Sequence, residues 1–281
     1  MKDLHRYDGK RALVVGCYSG MGMATAKVVQ SLGAEVHGVD VREPDYDLAA
    51  FTLCDLRDRS QVDRLLASLD DPVDCVFYCA GLPQTKPPLD VVTVNFVAMR
   101  HLVEGVRSRM PDGGAIAVIS SNAGLQFMER MPVILDLLAT AGFEQAQAWC
   151  EQHADVVADG YGFSKEAIIV YTMQRATELC GDGIRLNCIS PGPTTTPMMP
   201  EFDKALGGHE LIEAFYGPMR REARPEEMAW PLAFLNSEGA SFVTGLNMVV
   251  DAGFVAGVTT GQIDVAALMA RGQAALAARK G

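Results

Sequence analysis

The chain is predicted to be α/β, a single doubly wound domain over residues 1–281 whose mostly parallel sheet has about seven strands with helices on both faces. Three observations predict it. Short β-branched runs alternate with helical patterns of roughly 10 to 20 residues, the sequence form of strand, crossover helix and parallel strand. Turns of glycine and other small residues stand directly after several of those runs, where a parallel sheet has its C-terminal edge. No linker composition divides the chain, and right-handed crossovers close such units into one sheet.

The first strand is Arg11-Ala12-Leu13-Val14-Val15, which ends in Gly16-Cys17-Tyr18-Ser19-Gly20-Met21-Gly22 and passes into a helical pattern closing at Gly33. Glycines there let backbone approach a pyrophosphate, and a helix N-terminus adds unpaired N–H groups and partial positive charge. Gly16, Ser19, Gly20, Met21 and Gly22 are therefore candidate cofactor contacts. The spacing Gly-x-x-x-Gly-x-Gly differs from the usual Gly-x-Gly-x-x-Gly, and glycine clusters also make ordinary turns. The second strand, Glu35-Val36-His37-Gly38-Val39, ends on Asp40, 18 residues beyond Gly22. A carboxylate there accepts hydrogen bonds from ribose hydroxyls and repels a 2′-phosphate, which favours NAD over NADP. Arg42 is the reservation, because it can neutralise such a phosphate.

Phe51 to Leu56 reads as a third strand that presents Asp55 and Leu56 towards the adenine end. Helical spacing resumes from Ser60 to Leu69, and Val73-Asp74-Cys75-Val76-Phe77-Tyr78 is the fourth strand. It runs into Cys79-Ala80-Gly81, where Ala80 and Gly81 are small enough to lie against a cofactor. Pro83, Pro87 and Pro88 make a loop before a long helix from about Leu89 to Met110. Asn95 lies inside that helix among apolar residues, so its amide must find hydrogen bonds, a cap on a neighbouring loop being the structural option. Gly114 to Ile119 is the fifth strand, with Ser120-Ser121-Asn122-Ala123-Gly124 at its C-terminal edge.

Tyr161 and Lys165 stand four residues apart where the next helical pattern begins, so they share one helix face with Cβ atoms about 6 Å apart. Many surface helices carry this pair by chance. A phenol that serves as a base near neutrality needs its anion stabilised by roughly 4 kcal/mol, and a neighbouring ammonium supplies part of that.

Composition narrows the class. The net charge of −11 and the absence of a basic run disfavour nucleic acid, and a hydrophobic fraction of 49% suits a sizeable core. No segment approaches the length of a membrane span, and the N-terminus has no secretory h-region, so a cytoplasmic address is expected. Seven cysteines, an odd number without Cys-x-x-Cys, read as buried thiols, and the five scattered histidines lack zinc spacing, so no metal is expected.

In order, Gly16-x-x-x-Gly20-x-Gly22, Asp55, Cys79-Ala80-Gly81, Asn95, Ser121, Tyr161-x-x-x-Lys165 and Asn187-x-x-x-Pro191-Gly192 resemble the short-chain dehydrogenase/reductase family, with its Rossmann-type fold. The match runs from about residue 10 to 254 and takes in Val243-Thr244-Gly245 and Val250-Asp251-Ala252-Gly253. Val15 and Cys79 depart from the Thr and Asn common in the family. The resemblance implies an NAD(H)-dependent oxidoreductase interconverting a secondary alcohol and a ketone. In it Tyr161 moves the hydroxyl proton, Lys165 steadies the phenolate and bonds the nicotinamide ribose, and Ser121 holds the substrate oxygen. It also implies that Asn95 positions a water leading from Lys165 to solvent. Pro191, Gly192, Thr194 and Thr196 are expected at the nicotinamide amide and diphosphate.

Between Ser121 and Tyr161 lie 39 residues, long for the family, and two short amphipathic helices fit within about 125–158. This insertion is similar to that of bacterial 3α-hydroxysteroid dehydrogenase/carbonyl reductases, with coniferyl-type aryl or allylic alcohol dehydrogenases as the alternative. It is expected to cover the substrate cleft or to form a subunit contact. Met198, Met199, Phe202, Leu211, Phe215, Tyr216 and Met219 suit a mobile lid over a hydrophobic alcohol or ketone. The tail at about 255–281 is read as a frayed end or a subunit contact, and a homodimer or homotetramer is expected. From another class, a cofactor-sensing protein without activity needs no phenol at Tyr161, and the joint presence of Asn95, Ser121, Tyr161 and Lys165 speaks against it.

Overall fold

The computed structural model of the chain describes residues 3–69 and 72–280. Seven parallel strands form one sheet: β1 (Arg11–Val15), β2 (Glu35–Asp40), β3 (Ala50–Leu53), β4 (Cys75–Tyr78), β5 (Ala115–Ile119), β6 (Arg185–Pro191) and β7 (Asn247–Val250). Their spatial order is β3-β2-β1-β4-β5-β6-β7, with Val15 beside Val39 on one side and Tyr78 on the other. The winding direction reverses between β1 and β4, so a crevice opens beyond the C-terminal ends of those two strands. Residues of β4, β5 and β6 are buried throughout, because helices cover both faces, and this is why their sequences read as continuous apolar runs.

One face is covered by α1 (Gly20–Ser31) and α10 (Pro225–Asn236), which close over Val14, Phe77 and Ala117. The other carries α2 (Arg59–Ser68), α3 (Pro88–Val92), α4 (Ala98–Val106) and α7 (Tyr161–Gly181), packed over Val15, Val76 and Val118. Two expected boundaries differ. The third strand stops at Leu53, because Asp58 caps α2 by accepting from the Ser60 amide and the chain must turn to reach it. The long helix expected from Leu89 to Met110 is interrupted by a π-helical turn, Thr93–Val97, and ends in the 3₁₀ turn Arg107–Arg109. A π turn frees carbonyls from the helical ladder, and the buried Tyr78 hydroxyl donates to one of them, Val94 O, at 2.6 Å.

The insertion does contain two short helices, α5 (Met131–Leu138) and α6 (Gly142–Gln152). Their apolar faces, with Ile134, Leu137, Phe143 and Trp149, are buried in the core of the same chain. The fully enclosed Arg100 of α4 pins them by donating to Leu137 O at 3.3 Å and Gly142 O at 2.6 Å. Beyond β6 come α8 (Met199–Leu206) and α9 (His209–Ile212); α11 (Phe254–Thr259) and α12 (Val265–Lys280) follow β7. No helix among the described residues is long and apolar enough to cross a membrane.

Candidate active site

A cavity of about 1190 Å³ occupies the crevice predicted by the strand order. Of the expected site residues, Gly16, Ser19, Gly20, Met21, Asp40, Asp55, Leu56, Ala80, Gly81, Ser121, Tyr161, Lys165, Pro191, Gly192, Thr194 and Thr196 all line it. Gly22 and Asn95 stand behind that wall. The volume exceeds the roughly 300–1,000 Å³ of a site for one small ligand, as a site for two reactants must.

The end of the cavity at the turn from β1 into α1 is built by close backbone contact. Gly16 has φ +86°, and a Cβ on it would stand 2.5 Å from Ala80 N; one on Gly22 would stand 1.9 Å from Gly16 O. Only glycine permits this crossing of the first and fourth strand ends, which leaves the N-terminus of α1 facing the cavity without an acidic residue in its first turn. A dinucleotide pyrophosphate fits that donor set. Cys79, where the family commonly has Asn, donates weakly to Thr25 Oγ1 at 3.9 Å, its thiol pushed up to about 12 by burial. Its amide donates to Val15 O at 2.8 Å, so the turn holds without an asparagine amide.

At the end of β2, Asp40 Oδ2 accepts from the Tyr18 amide at 3.0 Å, and Oδ1 accepts from the amides of Val41 at 2.7 Å and Arg42 at 3.3 Å. The carboxylate is thereby aimed, and Oδ2 keeps a lone pair for a ribose hydroxyl. The Arg42 guanidinium lies 4.0 Å over the Tyr18 ring. Asp55 pairs with Arg57 at 2.6 Å, which holds its carboxyl below the usual range, and Arg57 also reaches Asp90 at 3.4 Å. Sequence spacing did not point to Arg57.

At the opposite end Tyr161 and Lys165 project from the first turns of α7. Lys165 Nζ donates to Ile119 O at 2.9 Å and lies 5.6 Å from the centroid of the Tyr161 ring. Burial pushes the phenol up, and a hydrogen bond from Ser121 opposes that; burial lowers the Lys165 ammonium to about 8. Low dielectric alone therefore disfavours both charges, so each must stabilise the other if a phenolate is to form. Ser121 caps the turn Asn122–Gly124, its Oγ accepting from the Ala123 amide at 3.2 Å, which fixes the hydroxyl beside Tyr161.

Asn95, in the π turn, accepts from the Leu82 amide at 2.7 Å and donates to Leu82 O at 3.2 Å and Ser164 Oγ at 3.0 Å. It ties the loop after β4 to α7. That geometry is a loop cap, the structural option for Asn95.

The remaining wall is mostly apolar, with Gln84, Lys86, Gln126 and Glu201 among its polar members. Met198, Met199, Phe202 and Phe215 of the expected lid line it, and Phe202 meets Tyr161 edge to face at 5.1 Å. Leu211 is buried off the cavity, Tyr216 points into a polar cluster, and Met219 faces solvent. Phe254 and Val258 of α11 and Val265 of α12 also line the cavity, so the first part of the region read as a tail stands in its wall. The i, i+4 pair Phe254 and Val258 was the available signal. From the insertion only Leu125 and Gln126 reach the cavity; α5 and α6 do not cover it.

A glycine cradle, a carboxylate at the second strand end and a buried Ser–Tyr–Lys group around one cleft define a nicotinamide-linked oxidoreductase. The chain belongs to the short-chain dehydrogenase family and acts on CH–OH groups. Residues 10–133 match the model described as short chain dehydrogenase, and residues 146–255 the related one described as enoyl-(acyl carrier protein) reductase. It is 36% identical over 245 residues to a coniferyl-alcohol dehydrogenase of Pseudomonas sp. strain HR199, spanning 87% of this chain and 96% of that one. It is 34% identical over 247 residues to the 3-alpha-hydroxysteroid dehydrogenase/carbonyl reductase of Comamonas testosteroni, spanning 86% and 95%. Among solved structures, the 3-alpha-hydroxysteroid dehydrogenase of Pseudomonas sp. B-0831, complexed with NADH, superimposes with a TM-score of 0.76 at 26% identity, over 88% of this chain and 97% of that one.

Proposed function

We propose that the chain is an NAD(H)-dependent dehydrogenase/reductase interconverting a bulky apolar secondary alcohol and its ketone, of the 3α-hydroxysteroid/carbonyl type. The observation that carries this is the continuity of one cavity from Tyr161, Lys165 and Ser121 into the apolar wall of Met198, Met199, Phe202, Phe215 and Phe254. A nicotinamide held beside Tyr161 and Lys165 by Pro191, Gly192, Thr194 and Thr196 would supply the hydride acceptor or donor. Ser121 donates to the substrate oxygen, and Tyr161 Oη takes the carbinol proton in oxidation or returns it in reduction. Lys165 lowers the cost of the phenolate, and Phe202 and the lid exclude water. Acid–base help of this kind is worth about 10²–10⁴-fold, and alignment of the reactants roughly 7–11 kcal/mol. Asn95 acts as a positioning residue through Leu82 and Ser164.

The choice of NAD over NADP is supported by the aimed carboxylate of Asp40. A second reading, an aryl or allylic alcohol as substrate, is favoured by the 36% identity to the coniferyl-alcohol enzyme and by three phenyl rings in the wall. Seven free thiols, most of them buried, support a reducing, cytoplasmic setting, and exposed Val249 of the edge strand β7 with Phe242 and Leu246 just before it support a homodimer or homotetramer. Steroid, aryl and aliphatic alcohols assayed with NAD and with NADP, by reduced-nicotinamide absorbance, test the reading. Steroid oxidation faster with NAD supports it, and absence of turnover across the panel with either cofactor defeats it.

A further inference from the structure

The lid over the cavity, α8 with α9 and the turn after it, carries Phe202, Leu206, Ile212 and Phe215 and is fastened on two sides. On one side Thr85 Oγ1, in the loop after β4, donates to Glu201 Oε2 at 2.5 Å. On the other a string of polar side chains crosses from the lid to the loop that holds Thr194 and Thr196. Asp203 Oδ1 lies 2.9 Å from His209 Nδ1, and His209 Nε2 lies 3.1 Å from Tyr216 Oη. Tyr216 Oη lies 3.3 Å from Glu222 Oε1, whose Oε2 accepts from Thr195 Oγ1 at 2.6 Å.

Counting protons shows what this string does. A carboxylate only accepts, so Nδ1 of His209 carries a proton towards Asp203, and the phenol must donate its single proton to bond Glu222. Neutral His209 presents Nε2 as a second acceptor for that same proton. Tyr216 then bonds His209 or Glu222, never both. When His209 is protonated, Nε2–H donates to Tyr216 Oη, and the phenol proton is free for Glu222. One added proton therefore completes the string from Asp203 to Thr195.

We propose that His209 is a proton-operated clasp: its protonation ties the α8–α9 lid to the loop around Thr195, and its deprotonation releases one hydrogen bond of that tie. The surrounding charges act in the required sense. The Asp203 hydrogen bond, and then Glu222 and Glu213, raise His209 above its ordinary value of 6.5. A raised value means that the tie is complete below about 6.5 and is lost as pH rises through the raised value. Lys204 of α8 flanks Asp203, and Glu210 stands next to His209 on α9. The other helix against α9, α12, meets it through Gly272 and Leu276, with Arg271 the charge beside that contact. The lid so held is the one the proposed function places over the substrate, but the test needs no turnover, so the two ideas fail separately.

Amide hydrogen exchange of residues 199–216 in the ligand-free full chain, corrected for intrinsic rates and referred to α1, is to be followed from about pH 5.5 to about pH 9. Protection is expected to fall about fivefold through the His209 titration, the worth of one net hydrogen bond, and to lose that step in His209→Gln and in Tyr216→Phe. Should Tyr216→Phe lose its native circular dichroism, Glu222→Gln takes its place. Protection of 199–216 that tracks α1 at every pH, or the same step in His209→Gln, overturns the clasp.

Discussion

The two halves of the cavity are built differently. The half proposed for the cofactor hangs on strand ends and backbone: Gly16, Gly22, Ala80 and Gly192 touch main chain, and Asp40 is aimed by three amides. The half proposed for the substrate is assembled from side chains on five separate pieces of chain, residues 82–86, residues 125–126, α8 with α9, α11 and the start of α12. Backbone contacts tolerate almost no change, whereas apolar side chains in a wall exchange with modest loss. One scaffold can thus keep a cofactor while its substrate wall varies.

Substitutions sharpen that contrast, and the largest effect is expected in the cofactor half. Gly22→Ala puts a methyl 1.9 Å from a backbone oxygen, so it is expected to lose about 3 kcal/mol or more in denaturant unfolding and to abolish NADH binding. A variant of wild-type stability that still binds NADH would show that this crossing is not rigid.

Lys165→Met comes next, with opposite signs for stability and activity. The folded state lowers Lys165 from 10.5 to about 8, so between those values the unfolded chain binds a proton that the folded chain does not. Wild-type stability should therefore rise with pH across that window. The methionine variant should lack the rise, be more stable near pH 7 by about 1–3 kcal/mol and be inactive. Equal pH slopes for the two proteins would mean that Lys165 is not desolvated.

Asp40→Asn should move the ratio of kcat/KM for NAD over NADP about tenfold towards NADP, since it removes the charge that opposes a 2′-phosphate. An unchanged ratio would place discrimination elsewhere, with Arg42 the first suspect. The smallest effect is expected from Phe254→Leu. It should raise KM for bulky substrates about threefold with the NADH Kd unchanged, and a change in the Kd alone would erase the division between the halves.

The same division explains what could be read from the chain. Gly16, Gly20, Gly22, Asp40, Tyr161 and Lys165 announce themselves because each is held by local backbone geometry or by i, i+4 spacing, which sequence records directly. The end of β3 at Leu53 was hidden by the cap at Asp58, and the π turn at Asn95 by the fact that π and α turns share composition. Val258 and Val265 are hard to place in the cavity from sequence because the other residues lining it lie far off along the chain. The buried Arg100, which fastens the insertion to α4, looks like any helical arginine until the carbonyls of Leu137 and Gly142 are in place.

The proton-transfer role of Tyr161 is tested most directly by Tyr161→Phe, measured for NADH affinity by fluorescence and for turnover of any alcohol that the wild type oxidises. We predict an NADH Kd within about twofold of wild type and a loss of turnover of at least about a thousandfold. Turnover near the wild-type rate, with NADH bound as before, would contradict it.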